Sequence, residues 1–156
     1  MAYKLTFELV PDGCWYSNLR SILSKKEWDL IKAIVKQKSN GKCSICGKNT
    51  SRIEAHERWQ YDKDKGIQKL VDIIGVCRDC HSVIHIGRTQ LLGNEQRAEE
   101  HFMRVNNCSY ADYRRELSKA NITHQDLNKV NEWAMDISYL KKFILLETNE
   151  EQNGNN

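Results

Sequence analysis

The chain has 156 residues (18.2 kDa), 40% of them hydrophobic and 29% charged, with a formal net charge of +3. That is the size and composition of one folded domain, and it excludes a chain disordered throughout. No apolar run approaches the roughly 20 residues of a membrane span, and the opening MAYKLTFELV lacks the apolar stretch of a secretory leader, so a cytoplasmic protein is expected.

Residues 3–10 alternate, with Tyr3, Leu5, Phe7 and Leu9 on one side, which predicts a strand stopped by Pro11. A loop containing Cys14, Trp15 and Tyr16 follows. Ser24 stands three residues before Glu27, a capping box for a helix whose stripe is Trp28, Ile31, Ile34 and Val35 and which ends near Asn40-Gly41. Cys43, Cys46 and Gly47 form a tight knuckle. Strands are expected over Arg52–Trp59 and Leu70–Val76, joined by a charged loop over Tyr61–Lys69. A helix is expected over Arg78–Ile86, ended by Gly87. Three amphipathic helices should follow, at about 94–106, 109–120 (capped by Ser109) and 123–136 (capped by Thr123). The polar residues 149–156 are expected to form a disordered tail. With neither a repeat nor a linker, residues 1–148 read as one α+β domain. The N-terminal strand and the Trp28 helix should pack on one side of the centre, and the helices over 94–146 on the other.

Charge is uneven along this chain. Lys and Arg outnumber Asp and Glu by seven to four over residues 1–40 and by nine to six over 41–90, then balance at eight each over 91–146. The bias favours a polyanionic partner for the first two-thirds.

Four of the six cysteines, Cys43, Cys46, Cys77 and Cys80, form two pairs with two-residue spacers. A redox role for one pair would leave the other idle. A tetrahedral zinc site uses all four, because each tight turn presents two thiolates. Cys14 and Cys108 read as small buried hydrophobes. Thirty residues separate Cys46 from Cys77, more than a bare zinc ribbon needs, so the two strands form an inserted hairpin, which carries His56 and Glu57. His81 and His85 follow the last cysteine at i, i+4 and so share a helix face. Together with His56 they suggest a second metal site.

Ile53-Glu54-Ala55-His56, the two knuckles and the run Val76-Cys77-Arg78-Asp79-Cys80-His81-Ser82-Val83-Ile84-His85 resemble the HNH endonucleases, the ββα-metal or His-Me finger fold with structural zinc. The resemblance covers about residues 42–88, and the wider pattern resembles a widespread group of bacterial and phage HNH-like proteins. It implies a zinc-clamped ββα-metal finger that hydrolyses DNA phosphodiester bonds. His56, His81 and His85 would hold a second divalent ion (Mg, Mn, Ni or Zn). Matching the family's hydrophobic-Glu-hydrophobic lead-in makes His56 the metal ligand and places Glu57 where the family has its water-activating histidine. The alternative register makes His56 the base. Asp72 stands where the family has a middle Asn, and Asp72 and Glu54 are candidate supports. A carboxylate base is weaker than imidazole, with an unperturbed pKa of about 4.3. Arg58, Lys63, Lys65, Arg78 and Arg88 are candidate phosphate contacts. Trp59 and Tyr61 read as hairpin packing. The competing expectation is a non-cleaving zinc-finger module of the same fold that binds nucleic acid or a protein partner, with a phage or mobile-element factor acting through protein contacts as a third.

Overall fold

The computed structural model describes residues 2–144. Its centre is an antiparallel hairpin, β1 (Glu54–Asp62) and β2 (Ile67–Val76), with His56 opposite Ile74 and a bulge between Arg58 and Trp59. The hairpin turn is tighter than the expected Tyr61–Lys69 loop. The Asp62 side chain accepts from the amides of Asp64 and Lys65, and Gly66 takes φ +66° where a Cβ would lie 2.9 Å from the Glu132 carbonyl oxygen. Both strands therefore run further towards the turn than expected.

The two faces of the sheet bury different clusters. One face carries Ala55, Trp59, Leu70 and Ile73 and packs against α1 (Leu19–Ile22) and α2 (Lys25–Ser39), through Leu19, Trp28, Ile31, Ile34 and Val35. The Ser24–Glu27 capping box opens α2, and Asn40 in the left-handed region closes it, as the sequence indicates. The other face carries Ile74 and Val76 and packs against α3 (Arg78–Ile84), α4 (Ile86–Leu91), α5 (Glu95–Asn106) and α6 (Tyr110–Leu127).

Four expectations need correction. Residues 3–10 are extended but form no strand. Leu5, Phe7 and Leu9 do face the core, with the Phe7 ring stacked on Phe102 at 4.9 Å, yet the backbone has no ladder partner. Leu5 is bonded instead by the Asn106 side chain, which accepts from its N–H at 3.0 Å and donates to its carbonyl at 2.8 Å. This segment therefore lies with the C-terminal helices and not with α2. Second, Gly87 does not end a helix. The chain breaks at His85 (φ −97°, ψ 53°), and Gly87 sits inside α4. Third, the two helices expected over 109–120 and 123–136 are one, because no Gly or Pro interrupts 110–127 and Thr123 lies in its interior. Ser109 caps it with Asp112. Fourth, β3 (Ala134–Asp136) takes up the rest of that stretch and adds to β2 in parallel, opposite Ile67, Gln68 and Lys69. Trp133 just before it packs edge-on against Tyr61 at 5.5 Å.

The architecture is α+β with a small mixed sheet, ordered β1-β2-β3. No helix among the described residues is long and apolar enough to cross a membrane. The tail expectation for 149–156 falls outside the described residues.

Candidate metal centre

The first knuckle is closed by backbone bonds. The Cys43 amide donates to the Lys48 carbonyl and the Gly47 amide to the Cys43 carbonyl, with Gly47 at φ +76°, while Ser44 N–H reaches the Gly75 carbonyl and ties the knuckle to β2. The second knuckle opens α3, where the Cys77 sulfur accepts from the Cys80 amide as an N-cap. The four sulfurs lie within 4.8 Å of one another, and Cys46 Sγ stands 3.7 Å from Cys77 Sγ. Two thiolates on one zinc at about 2.3 Å in tetrahedral geometry are separated by about 3.75 Å, whereas a disulfide holds them at about 2.05 Å. The four cysteines can thus hold a metal ion such as zinc.

The surroundings suit that role. Burial pushes the Cys43 thiol up, but the amides of Cys46, Cys77 and Ile45 together outweigh it and bring it down to about 7. Burial raises Cys77 to about 11 and drives Cys80 higher still. A bound dication would reverse both, since coordination deprotonates a thiol. Buried His101 on α5 places Nε2 3.2 Å from Cys80 Sγ, a second layer that the sequence did not disclose. Arg97, one turn earlier, holds Asp79 between the two cysteines.

Beside this cluster the structure brings together His56, His81 and His85. One nitrogen of each lies within 4.8 Å of the others, and the ring centroids are 5.3, 5.2 and 4.8 Å apart. An imidazole centroid sits about 3.2 Å from a first-row metal bound at 2.0–2.1 Å, so tetrahedral ligands place centroids about 5.2 Å apart. The observed spacings match a common ion. His81 is in α3, and His85 is the residue where α3 breaks into α4, with its amide still bonded to the His81 carbonyl at 3.1 Å. Burial lowers His81, and it pulls His85 down to about 3, helped by the neighbouring His81, His56 and Arg88 charges.

The carboxylates divide differently from expectation. Glu54, on the His56 face of β1, bonds His81 Nδ1 at 2.8 Å, a supporting contact. Glu57 does not join the histidines. Strand alternation turns it to the other face, where its Oε1 accepts from the Leu19 amide at the start of α1, and burial there raises its pKa despite that bond and the His56 charge. The expected catalytic position of Glu57 is therefore corrected to a helix-capping one. Asp72 is likewise engaged elsewhere, accepting from the Tyr139 hydroxyl and the Ile73 amide. Among the expected phosphate contacts, Lys63 is paired with Asp126 of α6 at 2.7 Å, which corrects its role. Lys65, Arg78 and Arg88 are exposed, and Arg58 lies half-buried two residues from His56 on the same strand face. A second carboxylate reaches the site beside Glu54: Glu8, whose Oε2 is 2.9 Å from His56 Nε2. It lies in the segment expected to be a strand, on the side opposite the apolar residues, and the sequence carried no signal for it.

Fold and site together define an α+β domain in which a cysteine cluster clamps a hairpin to a helix and three imidazoles converge next to it. Comparison with protein-family models, with curated proteins and with solved structures gives no match.

Proposed function

We propose that this protein is a metal-dependent endonuclease of the HNH kind, hydrolysing phosphodiester bonds in DNA. One observation carries the reading: three imidazoles converge on one point beside four cysteines that already clamp the finger. Folding needs only the cysteines, and one buried and two half-buried histidines gathered edge to face have a ready explanation as ligands. The hairpin followed by α3 also has the order of a ββα-metal unit.

His56, His81 and His85 would hold the divalent ion, and Glu54 fixes the His81 ring through Nδ1, leaving Nε2 for the metal. When bound, the ion supplies charge stabilisation at the phosphate and the leaving oxygen. The three nitrogen donors suit Zn or Ni better than Mg. Arg58 provides a guanidinium beside the histidines for the non-bridging phosphate oxygens. Exposed Arg78 and Arg88, at the start of α3 and within α4, extend basic charge along the same helical stretch.

Supercoiled plasmid incubated with zinc-loaded protein and Zn²⁺, Ni²⁺, Mn²⁺ or Mg²⁺ tests the reading. Nicking is expected with wild type and its loss with His81→Ala at unchanged zinc content and fold. No cleavage with any ion would overturn it. One observation favours a second reading, a non-cleaving module that binds nucleic acid or a protein: Glu57 faces away from the histidines, so the family's water-activating position is empty of a base. DNA retention without nicking, by a gel-shift assay under the same conditions, would select that reading.

A further inference from the structure

We infer that Glu8 is a positioning residue of the metal centre: it fixes the His56 ring through Nε2 so that Nδ1 faces the ion, which makes the N-terminal segment a working part of the site. The inference rests on the three-histidine metal site proposed above and adds to it a residue outside the finger.

Glu8 Oε2 and His56 Nε2 are 2.9 Å apart. That is the usual N–H···O distance. The contact is therefore that of a hydrogen bond, with the imidazole donating to the carboxylate. It repeats, on a second ring and the opposite nitrogen, what Glu54 does for His81 at 2.8 Å. Metal-bound histidines commonly donate their other N–H to a carboxylate, which sets both the tautomer and the ring direction.

Glu8 is held in place for this task. Its own amide donates to the Ile84 carbonyl at 2.9 Å, the residue before His85, so the backbone of the segment is tied to the helix that presents the other two ligands. Leu9 packs into the core next to it. The second carboxylate oxygen, Oε1, faces Arg58 Nε at 3.8 Å, so one side chain stands between the buried His56 and the proposed phosphate contact. His56 is only 3% exposed, so while Glu8 is in place no solvent competes for its Nε2.

The full-length, zinc-loaded protein is titrated with Co²⁺, with binding at the second site read by its visible absorption and by calorimetry. Wild type should bind one Co²⁺ beyond the cysteine-held metal. Glu8→Ala should weaken that event about 10- to 100-fold. Glu8→Gln, nearly isosteric and able to accept but uncharged, should weaken it by less and covers the case in which the alanine variant fails to fold. Zinc content and the circular dichroism spectrum should be unchanged in both variants. Second-site affinity in Glu8→Gln and Glu8→Ala equal to wild type would overturn the role of Glu8 and leave the three-histidine site standing. A wild type that takes up no second ion would overturn the site itself.

Discussion

The bond between Asn106 and Leu5 offers a direct measure of what the N-terminal segment contributes. The Asn106 amide both accepts from the Leu5 N–H and donates to the Leu5 carbonyl, and Leu5 is fully buried among Phe102, Val83 and Tyr113. Asn106→Ala removes both partners at once and leaves two backbone groups in a place that water does not reach. Each such orphan costs about 1–3 kcal/mol, so losing two should cost about 2–6 kcal/mol, a large part of the usual 5–15 kcal/mol of a domain. With a urea m-value of about 2 kcal/mol/M, the unfolding midpoint should fall by about 1–3 M at unchanged slope, with zinc bound in both proteins. Asn106→Asp keeps the acceptor for the Leu5 N–H but sets a carboxylate against its carbonyl, so it should destabilise too, without rescue. A midpoint within about 0.3 M of wild type for Asn106→Ala would show that the segment is not anchored here. The same substitution should weaken the proposed three-histidine metal site, since the freed segment carries Glu8.

Removing the cysteine-held metal, by chelation or by Cys77→Ser, should unfold the finger, because structural zinc supplies about 10–16 kcal/mol of apparent binding free energy in finger peptides; loss of metal with an unchanged circular dichroism spectrum would contradict this. Gly75→Ala should cost about 1–3 kcal/mol, as its Cβ would lie 2.7 Å from Ile53 Cγ2 and 3.0 Å from Ser39 Cβ, and a thermal midpoint equal to wild type would refute the tight packing of α2 on β2. Glu57→Gln, which can still accept from the Leu19 amide, should keep both stability and any nicking activity, while Glu57→Ala should lose about 1 kcal/mol as the cap is removed; abolished nicking in a folded Glu57→Gln would restore Glu57 to the chemistry. Burial raises the Cys14 thiol to about 11, so at pH 8 only about a thousandth is thiolate, and Cys14 should resist iodoacetamide in the native protein and react on unfolding, as mapped by peptide mass spectrometry.

What the sequence disclosed depended on whether the deciding interactions were local. The knuckles, the capping box of α2, the Ser109 cap of α6 and the i, i+4 pair His81 and His85 are set within a few residues, and each could be read from the sequence. Residues 3–10 show the boundary. Alternation named the buried side correctly, because burial follows the pattern, but a strand also needs a ladder partner, and here the Asn106 side chain bonds Leu5 and the Ile84 carbonyl bonds Glu8 instead. The same holds for β3, three residues whose identity as a strand comes entirely from pairing with β2. Thr123 and Asp126 had the spacing of a helix start, but a cap forms only where the chain has first left the helix, and nothing makes it leave between 110 and 127.

Glu57 and Glu8 show how far alternation reaches in the site itself. On β1, period two puts Glu54, His56 and Arg58 on one face and Glu57 on the other, so a carboxylate next to a ligand in sequence is not next to it in space. Glu54 serves His81 from that face, but the carboxylate that serves His56 comes from elsewhere, delivered as Glu8 by the extended segment along α3. The proposed second metal centre thus draws on three parts of the chain, the N-terminal segment, the hairpin and the α3–α4 break, and would be complete only when the core behind Leu5, Phe7 and Phe102 has formed. A finger cut out at residues 42–88 would keep the four cysteines and the three histidines but lose the group that orients one of them. Metal affinity at the second site should therefore report on the folding of the whole domain, whereas the cysteine cluster reports mainly on the finger.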